Sequence, residues 1–282
     1  MIKHFSVITP AIEFDFALSA AIESVKLQIA NEYIIEHIVV FDNYNVLLPK
    51  DIVTERYVLR FKKTFGYRNG PSVARNLGLK HSKGGVVCFL DSDDLWLDGY
   101  LKKLHYAYDD QFLVFTAFNG ELYKDGIKTG KLAQPYVGAV KLNKKVYWNA
   151  IGSPSGYSFR VNSKTATVRF NEQLRYFEDW LFYLEILHSL SDKQYGAHQG
   201  KVGYLYRVSK QQGTANATEI TIRQAMREFL LMRPKISPIG DFIIYLQANR
   251  LARKLVGRWS SLYAIIIMIL DPYFIIAVVR KY

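Results

Sequence analysis

Val86-Val87-Cys88-Phe89-Leu90-Asp91-Ser92-Asp93-Asp94-Leu95-Trp96-Leu97 decides how this chain is read. An apolar run of strand length ends in clustered carboxylates. Burying unpaired charge is costly, so such a cluster is a poor way to extend a core. It is a good way to present oxygen ligands at the carboxyl edge of a sheet, where open α/β sheets bind ligands. Mg²⁺ takes one or two carboxylates together with substrate phosphates, and Mn²⁺ also suits oxygen donors. The competing reading is a helix cap, since Asp and Ser are favoured there.

Working outward, Phe5-Ser6-Val7-Ile8-Thr9 predicts a strand ending at Pro10, and 16–30 carries helical periodicity. Residues 37–41 predict a second strand ended by Asp42-Asn43, and 57–61 a third. Pro71 opens a helix to about His81, in the first turn, where Pro is tolerated. Gly84-Gly85 breaks the chain before the strand at 86–90, and a helix is expected over about 95–108. Strands follow at 112–118, 157–161 and 202–207, with loop at 119–156 and a helix from Asp179 to about Leu190. Alternating strands and helices predict βαβ units in a Rossmann-like, mostly parallel sheet flanked by helices.

Three further features carry chemistry. Arg75 and Asn76 fall on the helix before the acidic strand, where an arginine can pair with a diphosphate, with the carboxylates, or with neither. Phe177-Glu178-Asp179-Trp180 opens a helix with two carboxylates, fit either to cap it or to act as a general base. Asp42 follows the second strand, placed to meet a base or ribose or simply to turn the chain. Neither a Walker A motif nor Gly-x-Gly-x-x-Gly occurs, which argues against P-loop and Rossmann dinucleotide binding.

Taken in order, these segments resemble the family 2 glycosyltransferases of the GT-A fold. The match runs from Ser6-Val7-Ile8-Thr9-Pro10 through Gly70-x-Ser72-x-Ala74-Arg75-Asn76-x-Gly78 and Phe89-Leu90-Asp91-Ser92-Asp93-Asp94. It continues through Phe170-Asn171-Glu172 and Glu178-Asp179-Trp180 to Tyr206-Arg207. The resemblance implies an α/β GT-A fold and an inverting transfer of sugar from a nucleotide-sugar to an acceptor hydroxyl. It implies that Thr9, Pro10 and Asp42 line the nucleoside pocket and that Asp91 lies near the ribose or sugar. Asp93 would ligate Mn²⁺ or Mg²⁺ at the diphosphate, with Arg75 and Arg207 also on the donor side. Asp179 would be the catalytic base, with Glu178 beside it. The chain departs from the family at Ala11-Ile12-Glu13 after the first Pro, at the single Asp42, at Arg68 where Asn is usual, and at Val208-Ser209 where a His often follows Tyr-Arg.

Bulk properties bound the rest. The chain has 282 residues, half of them apolar, and a formal charge of +12. That composition argues against global disorder and points to an anionic partner. The basic residues are dispersed and no recognition motif is visible, which argues against a nucleic-acid binder. A catalytically silent partner subunit is the other rival, and intact Asp93 and Asp179 argue against it. The one cysteine, Cys88, cannot form an intramolecular disulfide and reads as core on the cytosolic side. Met1-Ile2-Lys3-His4 leads straight into a strand rather than a secretory signal.

Composition shifts near Pro234 and Pro238, so 1–235 is expected to be the GT-A domain and 236–282 a helical tail. Leu262 to Val279 is apolar but interrupted by Asp271-Pro272 and flanked by basic residues. On the insertion scale the apolar side chains sum to about −5 kcal/mol, a central Asp costs about +3, and Pro weakens the helix further. The balance predicts a tail lying in the membrane interface rather than crossing it. The expected location is the inner face of the cell membrane, near a glycan or lipid-linked acceptor, as in bacterial capsule, O-antigen or lipooligosaccharide synthesis. Through the same tail, copies of the chain can associate.

Overall fold

The computed structural model describes residues 3–124, 127–132, 138–140, 153–207 and 218–234. The tail expected at 236–282, and Val208-Ser209, lie outside them. The heart of the molecule is a parallel set of strands. β1 (Lys3–Ala11) lies between β2 (Tyr33–Phe41) and β5 (Val86–Phe89), and β4 (Tyr57–Lys63) flanks β2. The short β3 (Ile52–Val53) closes that edge. On the other side β10 (Tyr157–Arg160) runs antiparallel to β5, followed by β7 (Leu113–Lys124), β11 (Tyr195–Arg207) and β6 (Leu95–Trp96). β7 and β11 are parallel to each other. The hairpin strand β8 (Ile127–Leu132) pairs with β7, and β9 (Gly138–Val140) with β11.

Helices cover both faces. α1 (Phe16–Lys26) and α3 (Tyr100–Ala107) bury Leu18, Ala21, Val25, Leu101 and Leu104 against Phe5, Val7, Val39 and Cys88. α2 (Pro71–His81) sets Ala74 on Ile38 and Val40 of the other face. It approaches closely because Gly78 has no side chain: a Cβ there would lie 2.4 Å from Ile8 Cγ2. α4 (Glu178–His188) buries Trp180, Phe182 and Ile186 around Phe89 and Phe159, and α5 (Glu219–Met232) stacks Phe229 on Trp180 at 4.6 Å. Each large aromatic buried this way contributes about 1.5–3 kcal/mol.

Several elements differ from the sequence reading, each for a local reason. The first strand continues through Pro10 to Ala11. Pro10 shares the orientation of Ile8, whose carbonyl accepts the Leu90 N–H, so its missing donor points past the end of β5. The first helix stops at Lys26, and the second strand starts at Tyr33 rather than at 37. Leu95-Trp96 is strand rather than the start of a helix, because it pairs with Leu205 and Tyr204; α3 begins only after Gly99 in a left-handed conformation. The stretch read as loop from 119 carries the end of β7 with β8 and β9, and β11 begins at 195 rather than 202. α5 is an element beyond those expected from the sequence.

Gly78→Ala is expected to lower stability by about 1–3 kcal/mol, because crowding Ile8 outweighs the gain in helix propensity of about 1 kcal/mol. Urea unfolding reads this as a lower midpoint, whereas an equal or higher midpoint would show that Ile8 gives way.

Candidate active site

The acidic loop sits where the parallel and antiparallel halves of the sheet meet. In the β5–β10 register Ser158 faces Cys88, which sets Ser155 across from Asp91 just beyond both strands. The Asp91 N–H accordingly donates to Ser155 Oγ at 3.0 Å. Ser155 Oγ donates to Asp94 Oδ2 at 2.5 Å, and Ser153 Oγ reaches Asp91 Oδ2 and Asp94 Oδ2, both at 3.2 Å. Trp96 Nε1 fixes the same turn by donating to Ser155 O at 2.9 Å. Asp94 is 1% exposed and also accepts the Arg207 N–H at 3.1 Å. It therefore caps no helix and knits the loop to two distant segments. Ser153 and Ser155 escaped the sequence reading.

Arg75 joins this loop to α4. Its Nη2 donates to Asp91 Oδ1 at 2.7 Å, and its Nη1 reaches Glu178 Oε1 at 3.4 Å. The guanidinium is 4% exposed and lies 5.2 Å from the centre of the Phe170 ring. Burial works against its charge, but Asp91 and Glu178 more than offset that. The next residue fixes the approach to α4: Asn76 Nδ2 donates to Phe170 O and Glu172 Oε1, and its Oδ1 accepts the Phe170 N–H. α4 then opens from Phe177 in a left-handed conformation, with φ of 66°, a strained state for a non-glycine residue and one that clusters at active sites. Asp179 Oδ1 accepts the Trp180 N–H at 2.7 Å. Burial raises the pKa of both Glu178 and Asp179; their mutual repulsion adds to this for Glu178, and Arg75 opposes it for both.

The expected donor side is less uniform. Asp42 is buried and its carboxylate accepts from Thr64 Oγ1, Asn69 Nδ2 and the Gly70 N–H at 2.9, 3.1 and 2.7 Å. It thus organises the 64–70 loop and the entry to α2. Thr9 is fully buried, and its hydroxyl pairs with His37 Nε2 at 2.9 Å, so its side chain does not line a pocket; its backbone and the half-buried Pro10 remain at the strand end.

Asp93 is half-buried beside Asp91. Burial first, and then the Asp91 charge, push its pKa up to about 6, with Arg207 acting the other way. Continuing the β6–β11 register, in which Leu205 faces Leu95, sets Arg207 across from Asp93. Among the described residues no cluster of three or more His, Cys, Asp or Glu forms a metal cage. The donor set still fits a hard divalent cation, which takes one or two carboxylates and completes its shell with phosphate and water. Crowded carboxylates with raised pKa values mark negative charge that a cation would stabilise.

The description "Glycosyl transferase family 2" matches residues 6–168, more than half of the chain, and spans the acidic loop, α2 and the serine turn. The chain belongs to this family. It is 32% identical over 218 residues to the minor teichoic acid biosynthesis protein GgaA of Bacillus subtilis (strain 168), covering 74% of this chain and 48% of GgaA. The chain thus spans about half the length of that relative. It is 26% identical over 260 residues to the Escherichia coli UDP-Glc:alpha-D-GlcNAc-diphosphoundecaprenol beta-1,3-glucosyltransferase WfgD, covering 88% of each. The structure of S. aureus TarS 1-349 in complex with UDP-GlcNAc superposes with a TM-score of 0.67 at 18% identity, over 89% of this chain and 73% of that one. At that identity the likeness shows a shared fold, the α/β arrangement of the GT-A transferases.

Arg75→Met leaves two shielded carboxylates without their cation. It is expected to cost about 3–5 kcal/mol of stability, measured by denaturant unfolding; a loss below about 1 kcal/mol would mean that the cluster does not hold the loop to α4.

Proposed function

We propose that this chain is a metal-dependent, inverting glycosyltransferase that moves a sugar from a nucleoside-diphosphate sugar to a hydroxyl of a glycan or lipid-linked acceptor. The observation that carries the reading is the single buried cluster in which Arg75 links Asp91, on the acidic loop, to Glu178, on the helix that bears Asp179. Sugar transfer needs a donor site and a general base close together, and this link supports such an arrangement. UDP-sugars are the first donors to test, because the name of WfgD specifies UDP-Glc and a diphosphoundecaprenol acceptor.

In this reading residues 1–235 carry the chemistry, and 236–282 form the membrane-interfacial tail beside the inner leaflet. Among the described residues no helix is long and apolar enough to cross a membrane. Asp93 is the residue to hold Mn²⁺ or Mg²⁺, which when bound would offset charge on the departing nucleoside diphosphate. Asp91 and Arg207, whose charges both act on Asp93, orient the donor. Asp179 takes the proton from the acceptor hydroxyl as that oxygen attacks the anomeric carbon opposite the diphosphate, so configuration inverts. Glu178 neighbours the base and keeps Arg75 in position. Asp42 shapes the nucleoside pocket through the loop it anchors, with Pro10 and the Thr9 backbone on its other side.

The test is nucleoside diphosphate release from a panel of nucleotide-sugars, with acceptor, in Mn²⁺ and in chelator. Release in Mn²⁺ that chelator abolishes is expected, and Asp93→Asn and Asp179→Asn each lower kcat/KM by about 10²–10⁴-fold. Undiminished acceptor-dependent transfer by either variant removes its assigned role.

The pH profile follows from the same cluster. The base acts ionised, and burial raises its pKa, so kcat/KM falls as pH drops through a range above that of ordinary carboxylates, about 4. Arg75 favours the ionised form, so Arg75→Lys, with its looser charge, moves the acid limb to higher pH. An acid limb at ordinary carboxylate pKa in both proteins would show that the Glu178–Asp179 pair does not supply the base.

A further inference from the structure

One rim of the molecule carries a continuous group of large exposed apolar side chains. Phe14 follows β1; Tyr44, Leu47 and Leu48 follow β2; Phe65 and Tyr67 follow β4. Leu47 is 92% exposed and Phe65 is fully so. The three loops are one surface rather than three. Asn43 Nδ2 donates to Ile12 O, the Tyr44 N–H donates to Gly66 O at 3.0 Å, and Asn43 bridges to Tyr67. Lys63 Nζ lies under the second loop, donating to Tyr44 O at 2.8 Å and Val46 O at 3.2 Å. Asp42 holds the third loop from beneath.

Charge on this rim is predominantly positive. Lys50, Lys63 and Arg68 are exposed there, with the Arg68 guanidinium 5.4 Å from the centre of the Tyr67 ring. Of the neighbouring acids, Glu13 is exposed beside Phe14, whereas Asp51 is paired with Arg60, Glu55 with Arg56, and Asp15 with the N-terminus of α1. Exposed apolar groups among cations mark an interface. A soluble polyanion would use the cations and leave Leu47, Leu48 and Phe65 idle. A second copy of this basic chain would set like charges against each other. A bilayer with anionic headgroups uses both, with side chains entering the acyl boundary and cations at the phosphates.

We propose that this rim docks on an anionic phospholipid bilayer, independently of the tail. Because the rim lies at the carboxyl edge of β1, β2 and β4, docking brings the edge that bears Asp91 and Asp93 to the membrane. Because the 64–70 loop also shapes the proposed nucleoside pocket, the rim variant alters only the loop after β2, and binding is read without turnover.

The test is co-sedimentation of the full chain with phosphatidylglycerol/phosphatidylcholine vesicles and with pure phosphatidylcholine vesicles. The partners are the double variant Leu47→Ser, Leu48→Ser and the control Leu27→Ser, which alters an exposed leucine at the end of α1, off the rim. Partitioning of the unaltered chain should be roughly tenfold stronger on the anionic vesicles and should weaken with salt. The double variant should lose roughly tenfold while its melting temperature and nucleotide binding hold, and Leu27→Ser should match the unaltered chain. Equal binding by the double variant would assign membrane contact elsewhere and overturn the proposal. So would a loss of nucleotide binding in step with vesicle binding, which would give the rim to the donor pocket. A dimer that the double variant dissociates, with vesicle binding unchanged, would give it to a second copy.

Discussion

One buried guanidinium sets the arrangement of this site. Arg75 sits on α2, which belongs to the parallel half of the sheet, yet its two bonds go to the loop after β5 and to the first turn of α4. With the guanidinium only 4% exposed and both carboxylates half-buried, the separation between the acidic loop and the first turn of α4 follows the span of one planar side chain. A lysine could serve one carboxylate as a point charge; the fork of an arginine serves two at a defined angle. Phe170 supports the cation from one face, and Asn76 fixes Phe170 through both of its backbone groups. Consecutive residues of one helix thus hold the loop, the ring and the approach to α4.

A second constraint explains why the acidic loop can exist beside a core. Five carboxylates gather at the end of β5 and the start of α4, and each would be costly if left alone. Asp91 is met by Arg75 and Ser153, and Asp94 by two serine hydroxyls and a backbone N–H. Glu178 is met by Arg75, and Asp179 folds back onto the Trp180 N–H. Asp93 differs, since no hydrogen bond to it from another side chain is found among the described residues and its pKa rises to about 6. The fold hydrogen-bonds the carboxylates that shape the loop, while the Asp93 charge is opposed by Arg207.

These two networks differ in how far the sequence discloses them. The strands β1, β2 and β5 are legible because apolar runs buried on both faces of a parallel sheet cannot be mistaken for surface, and Arg75, Asp91 and Glu178 stand at marked ends of elements. Ser153 and Ser155 are not legible. A hydroxyl in a loop has no periodicity, and its role arises only when an antiparallel strand brings it to the end of β5. The end of β7 was hidden because Asn119-Gly120-Glu121 interrupts an apolar run, and the strand persists there through pairing with β8 and β11. Asp94 looked like a cap because caps are local, whereas its real partners are about 60 and 113 residues away. α5 carries signals of its own: Thr218 and Thr221 form a capping box, and Ile222, Met226 and Phe229 follow at helical spacing.

The position of the site follows from the change of strand direction. In a wholly parallel sheet, every strand end at the carboxyl edge is followed by a chain leaving for a helix, and the edge offers one loop per strand. Here β10 enters antiparallel beside β5, so its preceding turn lies at the same edge, and two segments face each other across a single register. β11 runs in the same direction as β5, so its Arg207 end reaches the same edge, beside the reversed β6. The parallel half therefore supplies the acidic loop and Arg75, and the mixed half supplies the serines, Arg207 and the α4 carboxylates. Neither half contains all of these groups. The junction does, which is why the ion cluster spanning it matters more than any residue it contains.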